Sequence, residues 1–190
     1  MIHKVVIGTG FRGVLNYVFK ESRELGHERG RIVGGNMAGQ NPRALAHAFG
    51  AYRQLNTDVG RPVYHCSLRL PDDERLTDNE WGAIAGAYLE RMGFGDTPYV
   101  VVAHADNHVH IVASRVRFDG SRVDLWQDYP RGNRVVHELE RDYGLSHAID
   151  PEKLHPARPE VGRDELGLAE RCDEIPPNTT TLGVGGRGVD

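Results

Sequence analysis

The sequence predicts an α+β fold: a central, largely antiparallel sheet with flanking helices laid against one of its faces. Three observations lead there. Apolar residues recur at helical spacing in four segments and in short, strand-sized runs between them. The segments come in the order strand, helix, strand, helix, strand, helix, hairpin, helix, without the full βαβ units of a parallel sheet. The chain has 190 residues, 39% hydrophobic and 26% charged, which suits one packed domain with a short appendage.

Each element has a local reason. Residues 2–7 (IHKVVI) read as a strand, and GTGFRG as a loop leading to a short helix over about 13–21 with Leu15, Tyr17, Val18 and Phe19. Residues 22–30 are charged and glycine-punctuated, a loop, and 31–34 form a short strand. Asn41 caps a second helix, Pro42 suits its first position, and Leu45, Ala48, Phe49 and Tyr52 make its apolar stripe. PVYHCSLRL, residues 62–70, is a strand. Thr77 and Glu80 form a capping-box pair opening a helix with Trp81, Ile84, Ala85, Tyr88, Leu89 and Met92 inward, ended by Gly93. Residues 99–104 and 108–117 are strands joined by Ala105, Asp106 and Asn107; Asp119-Gly120 is a turn, and 122–126 a further short strand. A last helix spans about 132–143 and stops at Gly144. Beyond residue 150, Pro, Gly, Thr and charge dominate and little fixed structure is expected.

Composition narrows the function classes. No apolar run is long enough to span a membrane, so no membrane insertion is expected. The start, MIHKVVIG, lacks a secretory signal, which predicts a cytoplasmic protein. Cys66 and Cys172 stand alone, which supports neither a disulfide framework nor a cysteine metal site. The net charge is -4, but residues 1–70 hold ten Lys and Arg against four Asp and Glu. That basic third, mostly arginine, fits an anionic partner as well as an ordinary solvated surface.

The chemistry concentrates in VVVAHADNHVHIVASRV, residues 100–116. Strand side chains alternate, so His108 and His110 share a face. A three-residue loop sets His104 opposite His108, on that same face. Three imidazoles converging at a turn point to a divalent metal with open positions. Neutral ligands leave the ion's charge available to polarise a phosphate oxygen. Imidazole accommodates zinc, manganese, nickel or copper, whereas magnesium usually prefers oxygen, so the identity stays open, with magnesium or manganese as the expected ion. Asp106 in the turn has two readings, an orienting partner for a ligand ring or plain turn chemistry. Arg12, Lys20, Arg115 and Arg117 flank this site in sequence and are candidate contacts for the phosphates of an anionic partner.

Gly8-Thr9-Gly10-Phe11-Arg12-Gly13 matches a dinucleotide-binding pattern, but no acidic residue ends the next strand and no parallel sheet follows. Its glycines can still let backbone amides approach a phosphate. Tyr17 follows on the first helix. A phenol becomes a nucleophile when a nearby cation favours its phenolate, and an aryl phosphate ester can be attacked again by a hydroxyl. Tyr52 and Tyr88 fit apolar stripes, whereas Tyr64 stays open as an alternative.

These segments resemble the relaxase, or mobilisation nuclease, domain (MobA/VirD2-like) of the histidine–hydrophobe–histidine endonuclease superfamily. The resemblance covers residues 1–145 and rests on GFRGVLNYVFKE with Tyr17, PVYHCSLRLPDDERLTDNEWGAIAGAYLERMGF, VVVAHADNHVHIVASRVRFDG and RVVHELERDYGL. It implies a nuclease domain over 1–150 and a weakly structured extension over 151–190. It implies that Tyr17 attacks one phosphodiester of single-stranded DNA at an origin of transfer, giving a reversible 5′-phosphotyrosine and a free 3′-hydroxyl. His104, His108 and His110 carry over as metal ligands. Accessory relaxosome proteins and a coupling protein are the implied partners.

The chain departs from relatives in three places. The spacer from His104 to the histidine pair is short, which makes His65 a reserve ligand; Arg69 stands where relatives often carry serine; and no second tyrosine neighbours Tyr17. A replication initiator, a transposase, a non-catalytic DNA-binding module of the same fold and a three-histidine zinc hydrolase remain alternatives.

Overall fold

The computed structural model describes residues 1–20, 29–105 and 107–146. Among these, the elements in chain order are β1 (Ile2–Gly8), α1 (Phe11–Val18), β2 (Arg31–Gly35), α2 (Pro42–Arg53), β3 (Val63–Arg69), α3 (Asp78–Arg91), β4 (Tyr99–Ala105), β5 (His108–Ser114) and α4 (Asp128–Tyr143). The strands make one sheet, ordered β1-β3-β5-β4-β2, with every neighbouring pair antiparallel. The α+β class holds. The weakly structured extension expected over 151–190, and Cys172, lie outside the described residues.

The helices cover both faces rather than one. On the first face Val5, Ile7, Tyr64, Cys66, Leu68, Val101, Ala103, Val109, Ile111 and Ala113 pack against Trp81, Ile84, Tyr88 and Leu89 of α3 and Val135, Val136 and Leu139 of α4. On the second face Val63, Val100, Val102 and Val112 lie beneath Phe11, Val14, Leu15 and Val18 of α1 and Leu45 and Phe49 of α2. Phe11 and Phe49 stack at 4.4 Å and join the two helices. The reason is that the central strands are apolar on both sides. Val100, Val101 and Val102 run without a polar break, and each side needs a lid.

Local chemistry sets most boundaries. Asn41 Oδ1 accepts a hydrogen bond from the Ala44 amide at 2.9 Å and starts α2. Thr77 and Glu80 form the reciprocal capping box of α3. Gly144 ends α4 in the left-handed region at φ 66°, which glycine adopts without steric cost. Two helices start earlier than the sequence predicts. α1 takes Gly13 into its interior, and α4 accommodates Pro130 in its first turn, where the missing N–H costs no intrahelical bond. The short strand expected over 122–126 is reduced to a single bridge between Val116 and Arg122.

The β4–β5 hairpin differs from expectation in a way that matters for the site. Ala105, not His104, pairs with His108, and the register shifts between Ala103 and Ala105. His104 is the extra residue of a bulge, a device that re-aims side chains near sheet ends. Among the described residues no helix is long and apolar enough to cross a membrane.

Candidate active site: a histidine cluster beneath a tyrosine

The register lays out the site. Across the sheet run Lys4 (β1), Ser67 (β3), His110 (β5) and Val102 (β4), each paired with the next. One row toward the turn lie Ile2, Arg69 and His108. One row away lie Val6, His65, Val112 and Val100. All belong to the face that carries α1 and α2. Ile2, Lys4 and Arg69 are exposed, so the helices leave the β1 edge and the turn end of this face open to solvent.

His110 is the hub of the cluster. Its ring centroid lies 4.5 Å from that of His108, 4.8 Å from His104 and 5.1 Å from His65. His104 and His108 are 6.0 Å apart. Val109, between the two strand histidines, is fully buried in the opposite core. That apolar anchor fixes which way His108 and His110 point, because the side-chain period of a strand is two. The predicted meeting of His104, His108 and His110 is therefore found, with a bulge in place of a three-residue loop.

His65 approaches from the neighbouring strand, with Nε2 2.9 Å from Nδ1 of His110. Burial pushes its pKa down to about 4, and the charges of His108, Lys4 and His104 act the same way, so His65 is neutral at pH 7.

Tyr17 stands over these rings. Its ring meets His110 edge-on at 5.7 Å and His65 at 6.1 Å. α1 holds it there because Phe11, Val14, Leu15 and Val18 are buried on the sheet and on α2. Tyr64 lies on the opposite face, fully buried, with its hydroxyl 2.9 Å from that of Tyr88. Burial raises its pKa well above the usual tyrosine value. Tyr64 is thus a core residue. Tyr88 is also buried, and Tyr52 packs edge-on against Phe118.

The candidate DNA contacts spread out. Lys20 lines an open groove of about 560 Å³ beside α1, together with Asn16, Arg29, Arg31, Gln40 and Asn41. Arg31 is clamped to Asp78 by hydrogen bonds of 2.8–3.2 Å. Arg12 is exposed in the first turn of α1, at the opposite end of that helix. Arg115 and Arg117 lie beyond the far end of β5, roughly 16 Å or more along the strand from His110. Their guanidinium groups donate to the carbonyls of Arg61 and Gly93, both at 2.8 Å. Asp106 lies outside the described residues. Its neighbour Asn107 sits within 3.4 Å of Asp72, which also pairs with Arg69 at 3.0 Å.

Sequence reading missed Lys4 and Ser67. The signal was present: alternation along β1 puts Lys4 on the face opposite Val5 and Ile7. It becomes useful only once β1 is known to pair with β3.

Three imidazoles on one sheet face suit a borderline divalent cation in kind. Among the described residues, however, no three His, Cys, Asp or Glu side chains are arranged closely enough to hold an ion. The donor set fits the chemistry, and its closure around an ion is not formed.

A family model described as the nuclease domain of relaxases, MobA/VirD2-like, matches residues 17–145. No curated protein and no solved structure gives a significant match.

Proposed function

Because the chain belongs to the MobA/VirD2-like relaxase nuclease family, we propose that it nicks and rejoins one DNA strand at a plasmid origin of transfer, the step that initiates conjugative transfer or mobilisation. The observation carrying this reading is the edge-on packing of Tyr17 against His110 and His65, on the face shared with His104 and His108. A phenol and an imidazole cluster meeting on one sheet face, open at its β1 edge and turn end, are the two parts that phosphodiester transesterification needs.

In this reading the Tyr17 oxygen attacks the scissile phosphorus of single-stranded DNA. A new O–P bond forms to Tyr17, the bond from phosphorus to the 3′ oxygen breaks, and that oxygen takes a proton to leave as a 3′-hydroxyl. The phosphate stays esterified to the 5′ end of the other fragment. Attack by a 3′-hydroxyl on this ester reverses the step. His104, His108 and His110 are the residues that would hold a divalent cation, magnesium or manganese, which supplies Lewis-acid stabilisation of phosphate charge when bound. Lys4 and Ser67, in the same row as His110, offer a cation and a hydroxyl to the strand's phosphates. Lys20 and Arg29 line the groove beside β2, at the opposite edge of the sheet from Lys4, and offer further phosphate contacts there. Arg12, Arg115 and Arg117 stand as outlying contacts for a longer strand.

The test is a covalent-adduct assay. Single-stranded oligonucleotides carrying candidate origin sequences, labelled at one end, are incubated with the chain and Mn(II) and run on a denaturing gel. A 3′-end label should travel with the protein, a 5′-end label should not, and Tyr17→Phe should abolish the adduct. An adduct that survives Tyr17→Phe overturns the assignment of the nucleophile.

A further inference from the structure

The mechanism above gives His65 no task. It sits on β3, where Ser67 pairs with His110 and His65 with Val112, so His65 and His110 are diagonal neighbours on one face. Diagonal neighbours in an antiparallel pair are close enough for long side chains to meet. Here Nε2 of His65 lies 2.9 Å from Nδ1 of His110, with the rings inclined by 30°. Both side chains are buried. Two paired strands set this contact, so it forms without help from a bound ion.

The hydrogen bond has two directions with opposite consequences. If His65 donates, His110 spends its Nδ1 lone pair and keeps its proton on Nε2, which leaves neither nitrogen for an ion. If His110 donates from Nδ1–H, its lone pair is on Nε2. Histidines that ligate metals donate their second N–H to an acceptor, which fixes both tautomer and ring angle.

Resting on the relaxase reading, we propose that His65 is a positioning residue: it accepts the hydrogen bond from His110 Nδ1–H and holds His110 in the tautomer whose Nε2 joins His104 and His108 in binding a divalent cation. A carboxylate acceptor would add negative charge behind the ligand. An imidazole acceptor adds none, so the cation keeps its charge for the phosphate. The same side chain also meets Tyr17 edge-on at 6.1 Å, so it borders the nucleophile while it orients the ligand.

Two readouts test this. Long-range 1H–15N spectra of the metal-free, histidine-labelled chain report tautomers directly, and His110 should be protonated at Nδ1. Mn(II) titration should show His65→Leu weakening binding by 10- to 100-fold. His65→Gln, whose side-chain oxygen can accept in the same place, should recover most of that loss. A wild-type His110 protonated at Nε2 overturns the proposal and needs no variant to fold. So does a Leu variant that folds and binds Mn(II) as tightly as wild type. Failure of the underlying reading looks different: the wild-type chain then takes up no Mn(II) at all, whatever the tautomer, and both ideas fall.

Discussion

Acidification should unfold this domain through histidines buried in their neutral form, and His3 isolates the effect. His3 sits on β1, on the face away from Tyr17, between the rings of Tyr129 at 5.3 Å and Tyr88 at 6.4 Å. It is 5% exposed, and its Nε2 has no hydrogen-bond partner among the described residues. Burial pulls its pKa from 6.5 down to about 4; the carboxylate of Asp128 opposes this and the charge of His137 reinforces it. The unfolded chain protonates near 6.5, so between pH 6.5 and 4 it binds a proton that the folded chain refuses. Stability is therefore intact above pH 6.5 and falls as pH drops through that window. Integrating the difference gives a loss of about 2 kcal/mol from this residue at pH 5 relative to pH 7.5. His65, held near the same value by its own burial, loses stability in the same direction. Urea unfolding followed by circular dichroism should show a midpoint roughly 1 M lower at pH 5 for each such histidine, taking ordinary urea slopes. His3→Leu removes the titrating group and keeps apolar volume, so about 2 kcal/mol of the pH dependence should vanish while the His65 share remains. A His3→Leu variant whose stability falls with pH as steeply as wild type would refute the argument.

The remaining predictions address binding and packing. Lys20→Gln and Arg29→Gln should each lower the slope of log affinity for single-stranded DNA against log salt by about 0.7, read by fluorescence anisotropy over a salt series. Unchanged slopes would remove the groove from the DNA path. Gly82→Ala sets two effects against each other. Alanine gains about 1 kcal/mol of helix propensity, but its Cβ would meet the Val33 carbonyl oxygen at 2.7 Å where α3 crosses β2. Because that neighbour is backbone, the clash should win, with a net loss of about 1–2 kcal/mol in urea unfolding. Thr77→Ala removes the capping box of α3 and should cost about 1 kcal/mol by the same assay.

What was legible in the sequence follows the range of the physics involved. Asn41 with Pro42, and Thr77 with Glu80, satisfy amides within one helical turn, so four neighbouring residues suffice to read them. The shared face of His108 and His110 is equally local, because Val109 between them must be buried. His104 reached the cluster by a different route from the one expected. The hairpin closes one residue tighter and a bulge absorbs the difference, and no residue type in AHADNH announces that choice. His65 was legible as a histidine on a strand, but not as the neighbour of His110, since 45 positions separate them and only the β3–β5 pairing joins them. The second layer of helices was not anticipated, although the unbroken Val100–Val102 run puts apolar side chains on both faces of the sheet. Lys4 and Ser67 stayed hidden for the same reason as His65: rows across a sheet exist only once strand order is known.

The stacked pair Phe11 and Phe49 gives the site a division of labour. The phenol rides on the α1–α2 pair, whereas the imidazoles are carried by the strands beneath, so the two halves of the chemistry hang from separate supports. Loosening that aromatic clasp, for instance with Phe49→Ala, should uncouple them: strand transfer fades while the sheet still gathers its histidines. Under the proposed function, ion uptake and DNA cleavage would then answer to different substitutions, one in the sheet and one in the helices.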